Sequence, residues 1–296
     1  MEKQVKEAFD VNQGHGNHND AIFGDDSEWM SNILPECIQK GAVAWGAKSV
    51  ANRLGGDFPE EIPIAAINYP KGHIVLSMLL GVDEKKRRNV LLSAYPECNG
   101  EEVEFLLEEV HEYSAGVEAV LSGTILGGKR NVSFFDTRYA LNKRLYKKGE
   151  TYRFRISAVA YDASVLQDRE IIYKDDEAAD LRKKMGLAPE TEKDSSVKPL
   201  VFDMGRMVAT FQSSEAYPDD TEFQSPAYGI AEREAFGIPF YRIRIAIALD
   251  EHTGETIRIP LYARADFFPI KPRRNDPIRG HFWMQGRLSE LGGTQT

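Results

Sequence analysis

The sequence has few cysteines, no long apolar run and a deficit of positive charge. Only Cys37 and Cys98 occur among its 296 residues, which is typical of a protein that folds without disulfides in a reducing compartment. Its longest apolar stretch, at residues 74–82, is well short of the roughly 20 residues that cross a bilayer. The first residues also lack the apolar run of about 7–15 residues found in signal peptides. We therefore expect a cytoplasmic protein with no membrane partner.

The net charge of −9 and the absence of catalytic motifs exclude further classes of function. An acidic chain opposes contact of its whole surface with nucleic acid, but a local basic face is compatible with it. The sequence has no Gly-x-Ser-x-Gly elbow and no HExxH or CxxC pattern. Residues 123–129 have P-loop spacing, but Arg130 replaces the Ser or Thr that holds Mg²⁺, and a strand-like segment follows. We interpret them as a hairpin turn and predict no cofactor.

A histidine pair near the N-terminus is the one weak metal signal. His15 and His18 lie three residues apart, beside Asn19 and Asp20. Imidazole and carboxylate groups can hold a divalent ion and so support a hydrolase. The same polar composition also favours turns and local side-chain bonds. We interpret residues 1–25 as a flexible polar arm and keep the two histidines as candidate metal ligands.

The spacing of apolar residues divides the rest of the chain in two. Residues 26–115 are predicted as an N-terminal α/β region with helices at 28–40 and 101–113. In the second helix, apolar residues recur at i, i+3, i+4 and i+7 while glutamates fill the other face. Seven glutamates and no lysine or arginine lie between 97 and 112, and we interpret that run as a solvated helix face.

Residues 116–296 alternate with a period of two and predict an antiparallel β-rich barrel or sandwich, so the fold class is α+β. A polar connector at about residues 174–198 contains a short helix, and residues 213–225 are predicted as a surface loop. Strands are predicted at 62–67, 74–80, 89–94, 117–126, 131–141, 151–161, 200–211, 240–249, 256–267 and 281–288.

The distribution of arginine is the strongest functional signal. Nine basic residues and only two acids occur between residues 129 and 155. Strand alternation places Arg153 and Arg155 on the face opposite to their apolar neighbours. The later strands divide in the same way, with a basic and aromatic face made by Arg242, Arg244, Arg258, Tyr262, Arg264, Trp283 and Arg287. Arginine neutralises phosphate and aromatic rings stack on bases, as single-stranded nucleic acid requires.

Two groups of strands share short motifs with a known fold. Residues 240–263 and the closing segment Gly280-His-Phe-Trp-Met-Gln-Gly-Arg-Leu288 look like later strands, and Val120-Leu-Ser-Gly-Thr-Ile125 leading to Phe134-Phe135-Asp136 looks like the first two. In these strings the chain resembles OB-fold domains of the single-stranded DNA-binding protein type. The resemblance implies an OB-like barrel that binds oligonucleotides or oligosaccharides on its open face.

Three hypotheses of function follow. The first is a non-enzymatic module that binds single-stranded nucleic acid, or another anionic partner, through the nine arginine and aromatic residues named above. The second is an assembly subunit or homo-oligomer whose arginines meet an acidic protein surface. The third is a hydrolase that uses carboxylates of the acidic loops or a metal site at His15 and His18. A purely structural role for these arginines is also open, because arginines on a sheet often pair with acids on neighbouring strands.

Overall fold

The computed structural model describes residues 18–24, 28–51, 61–83, 88–128, 130–188, 197–212 and 217–290. Its helices are α1 (Asp20–Phe23), α2 (Glu28–Lys40), α3 (Tyr139–Asn142) and α4 (Asp175–Lys184). Its strands are β1 (Ala42–Ala51), β2 (Glu61–Tyr69), β3 (Ile74–Asp83), β4 (Arg88–Cys98), β5 (Glu101–Glu112), β6 (Ala119–Ile125), β7 (Arg130–Asp136), β8 (Thr151–Val165), β9 (Glu170–Tyr173), β10 (Leu200–Asp203), β11 (Ala209–Gln212), β12 (Asp220–Pro226), β13 (Gly229–Ala235), β14 (Ile238–Leu249), β15 (Thr256–Arg264) and β16 (Pro277–Glu290).

Five strands close into a barrel, which confirms the predicted β-rich α+β class. β5, β6 and β7 form an antiparallel meander. β7 pairs in parallel with β16, and β8 pairs antiparallel with both β16 and β5. The order around the ring is therefore β5, β6, β7, β16, β8. Phe105, Phe134 and Phe154 pack edge to face in its interior, as expected of aromatic rings in a core.

Further strands extend the ring on two sides. β15 pairs in parallel with β8 and carries β14 and β13, while β12 pairs with the first half of β16 and carries β11. Because the first half of β16 pairs with β12, the strand pairing between β7 and β16 involves only Phe135 and Asp136 of β7 among the described residues. β9 and β10 form a separate two-stranded ribbon.

The N-terminal region forms a second layer. β1 to β4 make a four-stranded antiparallel sheet, which packs against the outer wall of the barrel. The buried layer between them includes Tyr95 of β4, Phe135 of β7, Val159 of β8 and Trp283 of β16. One side of the barrel is therefore covered by the N-terminal sheet.

Several predicted elements are confirmed. The helices at 28–40 and within the connector are α2 and α4, and the strand-like runs of the N-terminal region are β2, β3 and β4. The hairpin turn predicted in place of a P-loop joins β6 to β7, whose last pair is Ile125 with Arg130. Within the described residues no helix is long and apolar enough to cross a membrane.

The predicted helix at 101–113 is wrong, because this segment is strand β5. Its apolar residues satisfy two periods at once: Val103, Phe105 and Leu107 also alternate, and they fill the barrel interior. The glutamates between them point outward and face arginines of β8, with Glu104 opposite Arg153. Contacts with distant strands therefore decided between the two periods, and the barrel begins at Glu101, before the predicted boundary at residue 116.

Two predicted loops also differ from the structure. Residues 18–24 of the supposed arm include α1, whose Ala21, Ile22 and Phe23 are buried. The remainder of that arm lies outside the described residues. The last part of the predicted loop at 213–225 is strand β12, with Phe223 buried against Phe282. In both cases apolar residues within a polar segment form part of the core.

Candidate functional site

Arginines of the predicted basic face are paired within the chain. Arg242 and Arg244 of β14 both donate to Glu101, at 2.9 and 2.6 Å. Arg153 of β8 lies 3.4 Å from Glu104, its cross-strand neighbour. These carboxylates compensate the guanidinium charges, so this face is not a bare basic surface.

Arg287 belongs to a covered ion cluster. Its guanidinium donates to Glu97 at 2.5 Å and to Asn99 at 3.0 Å, and Arg138 donates to the same Glu97 oxygen at 3.2 Å. Glu97 is only 2% exposed. The cluster ties the end of β4 to β16 and to the segment after β7, so Arg287 has a structural role.

The prediction that Tyr262 and Trp283 stack on bases is wrong, because both are fully buried. The Tyr262 hydroxyl donates to the carbonyl of Asn99 at 2.8 Å, and burial raises the pKa of Tyr262 to about 12. Trp283 stacks on His18, with ring centroids 4.0 Å apart. The N-terminal layer covers both rings, which alternation within one strand does not reveal.

The other predicted arginines have separate surroundings. Arg258 lies over the ring of Tyr228 at 4.0 Å, a cation–π contact. Arg264 pairs with Asp266 at 2.5 Å. Arg155 is exposed on β8. The structure thus brings Arg242 and Arg244 together on one carboxylate, and it gives these three arginines no common partner.

His18 is a core residue rather than part of a polar arm. Its Nδ1 lies 2.9 Å from the Tyr161 hydroxyl, and its Nε2 lies 3.4 Å from Asp219. Tyr161 also donates to Asp220 at 3.1 Å. Burial, with the Asp219 charge as second cause, raises the pKa of Asp220 to about 7.

Of the two candidate metal ligands, His18 lies within the described residues. His15 lies outside the described residues. Across the part of the chain that is described, no group of three or more His, Cys, Asp or Glu side chains is arranged to hold a metal ion.

A groove of about 420 Å³ crosses the outer face of β5, β6 and β7. β11 and Pro218 form its opposite wall, and the opening exists because β16 leaves β7 to pair with β12. Its lining residues are Glu108, His111, Ser122, Gly123, Arg130, Asn131, Val132, Ser133, Thr210, Phe211, Gln212, Pro218, Thr221 and Met284. None of the nine arginine and aromatic residues predicted from sequence lines it.

The groove is polar because the outward face of the β6–β7 hairpin changes along its length. Its outward pairs are Val120 with Phe135, Ser122 with Ser133 and Thr124 with Asn131. Val120 and Phe135 belong to the core shared with the N-terminal sheet, whereas Ser122, Ser133 and Asn131 line the groove. The small hydroxyl side chains at alternate positions therefore give this surface hydrogen-bond donors and acceptors.

These polar side chains form two rows across the strands. Ser122 Oγ lies 2.7 Å from Ser133 Oγ and 3.1 Å from His111 Nε2. In the second row, Thr124 Oγ1 lies 2.8 Å from both Glu108 and Asn131. Both rows fix donors and acceptors on a rigid sheet, which favours specific hydrogen bonds to a ligand.

Arg130 and Phe211 lie where β11 meets the barrel. Arg130 donates to the carbonyl oxygen of Thr210 and, at 2.9 Å, to its hydroxyl. Phe211 is 63% exposed and also lines a second cleft of about 420 Å³ beside Asp162 and His281. One cation and one exposed ring thus both line the groove.

The serine and histidine of the groove do not complete a catalytic triad in these contacts. Ser122 lies within hydrogen-bond reach of His111, as a nucleophile and its base would. Glu109 approaches at 3.7 Å, but it faces the same Nε2 nitrogen that contacts Ser122. A triad acid instead orients its histidine through the other ring nitrogen.

The groove residues carried only a weak signal in the sequence. Ser122 and Thr124 alternate with Leu121 and Ile125, which marks a polar outer face on β6 but not an open one. The partner wall comes from β11, about ninety residues further along the chain. Comparisons with protein-family models, curated proteins and solved structures found no match for this chain.

Proposed function

We propose that this protein is a non-enzymatic binding module whose barrel is an OB fold and whose groove binds single-stranded nucleic acid. The order of the strands around the ring supports the OB assignment. Numbered along the chain, the ring runs first, second, third, fifth, fourth, and α3 lies between the third and fourth strands. An OB fold is a five-stranded Greek-key barrel that binds its ligands across the second and third strands.

The observation that carries the proposal is the position of the groove. It crosses the second and third ring strands, β6 and β7, and both Arg130 and the exposed ring of Phe211 line it. An arginine contacts phosphate, and an aromatic face stacks on any base. The hydroxyl and amide groups of Ser122, Ser133 and Asn131 offer hydrogen bonds to sugar and base edges.

The charge of the groove determines the affinity and the salt dependence that we expect for binding. Among the described lining residues, Arg130 is the one arginine or lysine, and Glu108 carries an opposing charge. Counterion release lowers log K by about 0.7 per log unit of salt for each contacted phosphate of a single strand. We therefore expect weak binding with a shallow salt dependence, governed by stacking and hydrogen bonds.

Binding of labelled single-stranded DNA and RNA can be measured by fluorescence anisotropy at several salt concentrations. Phe211→Ala should weaken binding roughly 5-fold to 150-fold, because stacking is worth about 1–3 kcal/mol per base. Arg130→Gln should weaken it about tenfold and reduce the salt slope by about 0.7.

Matched controls separate this groove from the arginine face. Arg155→Gln removes an exposed arginine of β8, and Ile270→Ala shortens a side chain that is 76% exposed. Neither control should change binding by more than about twofold. Absence of binding at low salt would contradict the proposal. If Arg155→Gln weakened binding as much as Arg130→Gln, the ligand would lie on β8 instead.

The assembly hypothesis loses most of its original support. Arg242 and Arg244 form ion pairs with Glu101, and Arg287 forms one with Glu97, all within the same chain. An acidic partner surface would have to displace those carboxylates. Any self-association is therefore better sought on a different surface.

A further inference from the structure

The ribbon of β9 and β10 has no core of its own. None of its eight residues is buried, although six are apolar or aromatic. Ile171 is 41% exposed, Ile172 50% and Val201 50%. In the described part of the chain, β9 pairs only with β10 and β10 only with β9, so each keeps a second edge.

Such a ribbon is expected to associate. A lone two-stranded ribbon is marginally stable in water, and three or more strands are normally needed. An apolar strand with an unused edge is a template for pairing with another chain. Addition of a strand to β9 would satisfy its backbone edge and cover Ile171 and Ile172 together.

The sequence of β9 is complementary to itself in the antiparallel sense. In an antiparallel pair, two facing residues either both direct their backbone N–H and C=O groups to the partner strand or both direct them away. When β9 pairs with another copy of itself, an even-numbered residue must therefore face an even-numbered one, and an odd-numbered residue an odd-numbered one. With Ile172 on the two-fold axis, Ile171 faces Tyr173 of the partner subunit and Glu170 faces Lys174 of the partner subunit. Because of the two-fold axis, the apolar pair and the pair of opposite charges each occur twice in the interface.

The neighbouring register is poorer. With Ile171 on the axis, Glu170 would face Ile172 of the partner subunit, which sets a carboxylate against an apolar side chain. Glu170 and Lys174 are both exposed, and neither has an ion pair within the described ranges. In the register with Ile172 on the axis, Glu170 and Lys174, which are exposed to solvent in the single chain, form ion pairs between the two copies.

We propose that two copies of this chain associate through β9, with Ile172 on the two-fold axis, to form a four-stranded sheet in the order β10, β9, β9 and β10. The contact is small, and small contacts are transient. The net charge of −9 also opposes self-association. The dimer is therefore weak and depends on protein concentration.

Charge reversal tests both the contact and its register. In Glu170→Lys the dimer would oppose lysine to lysine, and in Lys174→Glu it would oppose glutamate to glutamate. Sedimentation velocity or light scattering should show the wild type moving from monomer towards dimer mass as concentration rises. Each single variant should associate at least about tenfold more weakly, because favourable cross-strand pairs become like-charge pairs at two symmetric positions.

Two combinations make the test specific. An equal mixture of the single variants should dimerise, because every facing pair is again opposite in charge. The doubly swapped chain, Glu170→Lys with Lys174→Glu, should dimerise alone. Ile172→Asp should abolish the dimer, whereas Ile270→Asp, at an exposed isoleucine of another segment, should leave it intact.

Two results would overturn the inference. One is a wild type that stays monomeric over its whole soluble concentration range. The other is a dimer that the single charge reversals do not weaken. Neither result bears on the groove, since Glu170 and Lys174 do not line it, and nucleic-acid binding can be measured on each variant separately.

Discussion

Replacing Glu97 with glutamine is expected to lower the free energy of unfolding by about 3–5 kcal/mol. The carboxylate is almost fully buried, and one of its oxygens accepts hydrogen bonds from both Arg138 and Arg287. Asn68 also donates to its other oxygen at 3.4 Å. Glutamine keeps the shape but removes the charge, so two partly buried guanidinium groups lose their common counter-ion.

Urea denaturation followed by circular dichroism measures this loss. Glu104→Gln is the matched control, because Glu104 pairs with Arg153 on the exposed face of the same region, with both side chains more than half exposed. Exposed pairs contribute little, so the control should change stability by less than about 0.5 kcal/mol. Equal effects of the two substitutions would mean that Glu97 does not hold the N-terminal sheet to the barrel.

Acidification from about pH 8 to about pH 5 is expected to stabilise the fold by a few kcal/mol. Burial raises the pKa of Asp136 to about 7 and that of Asp220 to about 7. The folded state then binds protons more tightly than the unfolded state, in which each carboxyl has its ordinary pKa near 3.9. As pH falls through 7 the cost of burying these charges disappears, so stability rises until the unfolded carboxyls protonate as well.

Carboxyls with lowered pKa act in the opposite direction but at lower pH. Glu36, Asp250 and Asp266 have their pKa lowered, chiefly by the hydrogen bond from Lys40, by backbone N–H groups and by Arg264 respectively. Their contribution is lost only below about pH 4. Between about pH 5 and pH 8, Asp136 and Asp220 favour the folded state on acidification. His73 opposes them, because burial lowers its pKa and its protonation therefore favours unfolding.

Asp220→Asn isolates one of the two groups. The amide keeps an acceptor for the Tyr161 hydroxyl and carries no charge, so at about pH 8 the variant should be more stable than the wild type by roughly 2–4 kcal/mol. Its stability should also vary less with pH. Asp168→Asn, at an exposed position, is the control and should follow the wild type. A variant less stable at pH 8 would show that the ionised carboxylate supports the buried cluster with His18.

The placement of the arginines shows which structural features the alternation of residues along a strand can predict. Alternation correctly placed Arg153 and Arg155 opposite Tyr152 and Phe154, because successive side chains of any strand point to opposite faces. The same rule put Trp283 opposite Phe282, also correctly. It could not show that the N-terminal sheet covers the Trp283 side, since that depends on contacts with a separate region of the chain.

The same limit explains β5 and the groove. The apolar residues of β5 fit a helix and a strand, and pairing with β6 and β8 decided for the strand. The groove needs β6 and β7 on one wall and β11 on the other, and it opens only because β16 diverges from β7. No local pattern encodes that divergence.

By itself, the sequence determined an acidic, β-rich chain, most of its strands, the helices α2 and α4, and which side chains share a strand face. These properties depend on composition and on backbone periods that act over a few residues. Only the tertiary structure decided which faces are covered and that Glu101 pairs with Arg242 and Arg244 while Glu97 pairs with Arg287. It also decided that a polar groove lined by Arg130 and Phe211 opens on the barrel. Those outcomes depend on contacts between residues distant along the chain, whose free energies no local pattern contains.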